Sequence, residues 1–207
     1  MNIAVFASGR GSNFQAILNA IHQGYLPAHV TVLISNKSDA GASEIARAQN
    51  IPAVQISQTK FSSEDAFAQE LLDLLRNHQV ELIALAGYLK RVPSRVVRQY
   101  RNHIVNIHPA LLPAFGGPGM YGHRVHEAVL ESGAKVSGAT VHIVDEEYDR
   151  GPIVMQQTVA ISDDETPDSL ATKVLTVEHE IYPRALKAFA EKRIHIEGRK
   201  VWVTSSP

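Results

Sequence analysis

Asn106 and His108, flanking the single apolar residue Ile107 in Asn106-Ile107-His108-Pro109-Ala110-Leu111-Leu112-Pro113, are the side chains best suited to chemistry. A carboxamide N–H can donate to an oxyanion as a carbonyl becomes tetrahedral, and an imidazole moves protons near neutral pH. Acyl transfer without an enzyme nucleophile is the reaction that this pair suits. The spacing puts both side chains on one face of a strand. Pro109 cannot join a strand ladder and Pro113 stops an early helix, so the chain must leave the sheet here as a loop. Ligands of open α/β sheets bind at such strand ends. An isolated Asn-x-His is more often a loop asparagine and a packed histidine, so the functional reading leans on two further loops, one at the N-terminus and one at residues 138–151.

The elements that must position these side chains can be read in order. Residues 3–7 form a short apolar run ending at Ser8-Gly9, as expected of a strand buried on both faces. After Gly9-Arg10-Gly11-Ser12-Asn13, residues Phe14, Ile17, Leu18 and Ile21 make one helical stripe, with Ser12 and Gln15 as a capping box. A strand, a Gly-rich turn and a helix N-terminus together offer backbone amides to an anion. Phe14 stands where a dinucleotide fingerprint needs its third glycine, and no Gly-Lys-Ser/Thr follows for a P-loop, so a phosphate monoester fits better.

Strands at 29–35, 53–56, 80–86 and 103–107 alternate with helices at 41–49, from Ser62-Ser63 onward, and at 94–100. That alternation predicts parallel βαβ units. Phe67, Leu71, Leu74 and Leu75 are the core stripe of the third helix. Residues 113–122 are too rich in Gly and Pro for a regular element and read as a flap over the cleft. A helix at 121–132, a strand at 136–144 with Thr140 and His142 on one face, and a strand at 153–161 follow. Thr166-Pro167 opens the last helix, with Leu170, Val174, Val177 and Ile181 buried, and 201–203 adds an edge strand. The fold class is α/β, an open, mostly parallel Rossmann-like sheet with helices on both faces.

Composition narrows the partners. At 207 residues, 44% hydrophobic and 20% charged, the chain can bury a core, and 20 Lys and Arg nearly balance 21 Asp and Glu. No global field favours nucleic acid or an anionic membrane, which leaves small molecules. Absence of cysteine excludes thiolate nucleophiles, disulfides and Cys-based zinc sites. His126-Glu127-Ala128-Val129-Leu130 puts a leucine where a zincin needs its second histidine, so no metal is expected. The N-terminal apolar run is too short for a signal peptide or membrane span, and a cytoplasmic protein is expected.

Over essentially its whole length, through Ala7-Ser8-Gly9-Arg10-Gly11-Ser12-Asn13-Phe14, Asn106 to Pro113, the segment 137–153 and Glu178-His179-Glu180-Ile181-Tyr182-Pro183, the sequence resembles the glycinamide ribonucleotide formyltransferases, folate-dependent transformylases of purine synthesis. The resemblance implies a single formyltransferase domain over 1–207, with a nucleotide-phosphate half at 1–100 and a catalytic and folate half at 101–207. It implies that 10-formyltetrahydrofolate is the co-substrate and glycinamide ribonucleotide the acceptor, in a monomer or homodimer. Gly11, Ser12 and Asn13 would hold the phosphate and Glu178 the ribose hydroxyls. Leu89, Lys90, Arg91, Val92 and Ile143 would line the folate pocket, with a solvated role competing for Arg91. Asp145, directly after its strand, would complete the catalytic group with Asn106 and His108, while Glu146, Glu147 and Asp149 read as solvated charges. Where the family often carries a phosphate-binding arginine, this chain has Ser63-Glu64-Asp65, and Lys60 is a candidate substitute.

Three rivals remain. A formyltetrahydrofolate hydrolase would add an N-terminal regulatory domain, whereas the catalytic half is expected to begin at Met1. A methionyl-tRNA formyltransferase would add a basic RNA-binding domain. A catalytically silent nucleotide-binding sensor would need the phosphate loop but not Asn106, His108 and Asp145 together.

Overall fold

The first apolar run forms β1 (Asn2–Phe6), buried from Ile3 onward. It pairs in parallel with β2 (His29–Ser35) on one side and β4 (Leu82–Leu85) on the other, and β2 pairs in parallel with β3 (Ala53–Gln55). Strands covered on both faces need apolar residues at every position, which is why β1 and β4 read as runs and not as alternations. The computed structural model describes residues 1–205, and two compact units can be distinguished, Met1–Val105 and the residues from Asn106 onward.

In the first unit the connections are helical: α1 (Ser12–His22), α2 (Gly41–Ala48), α3 (Glu64–Asn77) and α4 (Ser94–Gln99). Ser63 caps α3, its Oγ accepting from Ala66 N at 3.1 Å, and Phe67, Leu71 and Leu75 are buried as expected, while Leu74 is half-buried. The start of α1 departs from expectation. Its cap is Gly11, with no side-chain cap bond, and Ser12 is already helical. A β-carbon on Gly11 would lie 2.8 Å from Ala42 Cα, and its φ of +84° belongs to the left-handed region. Tight packing against α2 therefore sets the cap position, and the Ser12/Gln15 capping box does not form.

β5 (Ile104–His108) leads into the second unit, which contains α5 (His123–Glu131), β6 (Val136–Ile143), β7 (Ile153–Ala160) and α6 (Pro167–Ala190). β6 and β7 pair antiparallel, with a register shift between Val141 and His142. Thr166 and Ser169 cap α6 reciprocally, Pro167 opens it, and Leu170, Val174, Val177 and Ile181 are buried. The main sheet has the strand order β3-β2-β1-β4-β5-β6-β7, the open and mostly parallel α/β arrangement read from the sequence.

The edge strand expected at 201–203 is instead part of β9 (Lys200–Val203), which pairs antiparallel with β8 (Ile194–Glu197) in a sheet of its own. β8 alternates half-buried with exposed residues and lacks the apolar run that marks β1 and β4. Among the described residues no helix is long and apolar enough to cross a membrane.

Candidate active site

In the second unit, β5 delivers Asn106 and His108 from one face, as the i, i+2 spacing requires, and His108 is buried. The loop that follows is tied to β6 by one hydroxyl. Thr140 Oγ1 donates to Ala110 O at 2.6 Å and accepts from Leu112 N at 3.0 Å and from Gln156 Nε2 at 2.9 Å. His108 Nε2 lies 2.8 Å from Phe115 O, and because a carbonyl only accepts, Nε2 carries the hydrogen. Its Nδ1 faces Asp149 Oδ2 at 3.7 Å. The other carboxylate oxygen of Asp149 lies 3.5 Å from His142 Nε2, which is 3.0 Å from Asn106 Nδ2. Carboxamide, two imidazoles and a carboxylate thus form one continuous cluster.

The carboxylate beside His108 is Asp149, not Asp145. Asp145 turns back on its own loop, its Oδ1 accepting from Glu147 N at 2.9 Å, an arrangement that competes with any longer reach. Asp149 is returned to the strand end because Gly151 lies against β6, where a β-carbon would stand 1.7 Å from Ile143 O. Gly117 N donates to Asp149 Oδ2 at 2.8 Å and fixes the carboxylate in place. The sequence signal for this residue is therefore the glycine two positions on, which forces the charged loop to close against the strand. Position directly after the strand was the misleading cue.

Burial pushes the His108 pKa below the ordinary histidine value, although the Asp149 charge and the Phe115 carbonyl act in the opposite direction. Asp149 is also partly buried, which alone would raise its carboxyl. Contacts from the His142 and His108 rings when these carry a proton, together with the Gly117 N–H, outweigh that effect and hold it below the usual carboxylate range. The resting state is then an ionised carboxylate beside a largely neutral imidazole. Such an imidazole can take up a proton, and the carboxylate stabilises the resulting charge.

The anion-binding feature lies in the first unit. Ala7 N donates to Ile34 O, and Ser8 N to Gly87 O at 3.1 Å, so the turn Gly9-Arg10-Gly11 leaves the sheet at a defined point. Helix α1 then starts at Ser12 with no acidic residue in its first turn. Its leading amides and the side chains of Ser12 and Asn13 are the groups that an anion would meet. Ser8 Oγ donates to Asn36 Oδ1 and accepts from Leu89 N at 2.9 Å, joining this turn to the segment after β4.

Of the residues assigned to folate by resemblance, Leu89 is an apolar side chain 46% exposed, and Lys90 and Arg91 are exposed beside it. Val92 is buried, so its side chain packs the core of the first unit. Ile143 is buried too, and both its backbone groups are engaged, N with Pro152 O and O with His142 Nδ1. Glu178 is 7% exposed on the buried face of α6, an unusual place for a carboxylate.

Comparison with known proteins shows the family. The family model described as formyl transferase matches residues 1–186. A chloroplastic phosphoribosylglycinamide formyltransferase of Arabidopsis thaliana is 46% identical over 93% of this chain, which spans 66% of that protein's length. The phosphoribosylglycinamide formyltransferase of Bacillus subtilis (strain 168) is 39% identical over 89% of this chain and 92% of its own. The crystal structure of glycinamide ribonucleotide transformylase 1 from Symbiobacterium toebii superposes with a TM-score of 0.93 at 39% identity, covering 99% of this chain and 94% of that one. With the match running through the anion turn, the Asn106/His108 strand and the Asp149 loop alike, the chain belongs to the formyl transferase family.

Proposed function

We propose that this chain transfers the formyl group of 10-formyltetrahydrofolate to the amine of 5'-phosphoribosylglycinamide, a step of de novo purine synthesis. The observation that carries the reading is the cluster Asn106, His108 and Asp149, in which an amide donor and a carboxylate-backed imidazole converge without a nucleophilic side chain. A substrate amine of the α-amino kind has a reference pKa of about 7.7 to 8.0, so a useful neutral fraction exists and no strong base is needed. Its nitrogen attacks the formyl carbon, and the carbonyl electrons move to oxygen. An Asn106 N–H donates to that oxyanion, a contact worth about 10² to 10³ in rate. His108, once protonated at Nδ1 where Asp149 stabilises the imidazolium, gives its Nε2 hydrogen to the departing folate nitrogen as the C–N bond breaks, and the attacking amine releases its proton to solvent. Nε2 of His108 exchanges its bond to Phe115 O for the substrate in that step.

The turn at Gly11, Ser12 and Asn13 suits the substrate phosphate, Glu178 suits ribose hydroxyls, and the exposed Leu89 with Lys90 suits the folate. The same reading makes the chain a cytoplasmic enzyme of small molecules, monomeric or homodimeric, with no nucleic-acid or membrane partner. Loss of the formyl donor, followed with and without phosphoribosylglycinamide, tests it. Acceptor-dependent loss is expected. Acceptor-independent loss would make the chain a hydrolase, and no loss would make it a sensor. His108→Ala is expected to lower turnover by about 10² to 10⁴ with nucleotide binding nearly intact, and an unchanged turnover would remove His108 from the mechanism.

A further inference from the structure

His142 has no role in the reaction as written above, yet it is buried in β6 with both ring nitrogens engaged. Nδ1 stands 3.0 Å from Ile143 O, a group that only accepts, so Nδ1 carries a hydrogen. In the neutral ring Nε2 is then an acceptor. The group nearest to it, at 3.0 Å, is the amide nitrogen of Asn106, while Asp149 Oδ1 lies farther away at 3.5 Å. Turned the other way, Asn106 would set its Oδ1 against the Nε2 lone pair.

We propose that His142 is a positioning residue for formyl transfer: held in its Nδ1–H tautomer by the Ile143 carbonyl, it fixes the Asn106 carboxamide with nitrogen toward the cluster. One amide N–H is bound by the ring. The second stays on the same nitrogen and serves the oxyanion. The Nε2 edge is the side that faces Asp149, which in turn stands against His108, so this is where a donor must be presented. A backbone carbonyl thereby sets a histidine tautomer, and the tautomer sets the orientation of an amide two strand positions before His108. The inference rests on the formyl-transfer reading.

Its test has two arms. In whole protein labelled with ¹⁵N-histidine, long-range proton–nitrogen correlation at pH 7.5 is expected to show His142 as the neutral Nδ1–H tautomer, assigned by its loss in His142→Phe. An Nε2–H tautomer or an imidazolium would overturn the proposal. In the second arm, His142→Phe keeps the ring shape without an acceptor and is expected to lower kcat about 10²-fold with KM nearly unchanged. His142→Gln can return an acceptor oxygen to the amide and is expected to recover about tenfold of that loss. Equal activity in Phe, Gln and unsubstituted protein would overturn the proposal, as would equal loss in both variants. Should the Phe variant fail to fold, the tautomer of the unsubstituted protein and the Gln variant decide. Absence of formyl transfer in the unsubstituted protein overturns the reading beneath the inference, whereas transfer with the wrong tautomer overturns the inference alone.

Discussion

Asp149 sits at φ +52°, in the left-handed region that aspartate and asparagine tolerate better than other non-glycine residues. Asp149→Asn should therefore keep the loop while removing the charge that faces His108. A fall in kcat of about 10² to 10³ is expected, with the protein still folded. Asp145→Asn is expected to stay within about twofold of the parent, because its carboxylate serves only its own turn. Steady-state kinetics on the two variants separates them, and the reverse order would restore Asp145 to the mechanism. At this scale the pairing of Asn106 with His108 on one strand face was legible because residue type and spacing set it. Asp149 was not, since a charge run gives no hint of which carboxylate turns inward, and that choice is made by backbone closure at Gly151.

Elements were legible wherever an apolar pattern marked them. β2 and α6 fall where their residues predict, and most other elements differ by a residue or two at their ends. The failures share one cause. The Gly11 cap of α1 and the β8–β9 pair are settled by packing partners remote in sequence, which local patterns do not carry. Gly151 is the strongest case of such a constraint. Gly151→Ala would drive a methyl into Ile143 O and must push the loop 145–150 off β6, at a cost of about 3 kcal/mol. The denaturant midpoint should fall accordingly, and turnover with it, since Asp149 moves with the loop. A variant as stable and active as the parent would show that the close approach is not maintained in solution.

Over the whole molecule, burial holds the pKa values of His108, His126 and His179 below the ordinary histidine value. Between those depressed values and about 6.5 the unfolded chain binds more protons than the folded one, so stability rises with pH across that window and is lost on acidification. His123, exposed between Glu127 and Asp168, has a raised value and acts in the opposite direction, though solvent weakens it. Asp149, with a depressed value, contributes only above the carboxylate range and does not change sign here. The melting temperature should therefore drop between pH 7.5 and 5.5. A flat or rising profile would show that these imidazoles are as accessible to protons in the fold as outside it.

The two polar contacts that hold the catalytic pair from the Gly-rich segment, Phe115 O to His108 and Gly117 N to Asp149, are both made by main-chain atoms. Side chains such as those of Ala114 and Met120 can therefore be exchanged without altering what the imidazole and the carboxylate meet, whereas at Gly116 an added β-carbon would stand 2.5 Å from Leu112 Cδ2 and 3.0 Å from Asp149 Cβ. A one-residue deletion between Pro113 and Gly117 is different, because it would displace the Phe115 carbonyl and the Gly117 amide relative to each other and so to the imidazole and the carboxylate they meet. The segment's tolerance is for spelling and not for length, so its residue count is what a library of variants should hold constant.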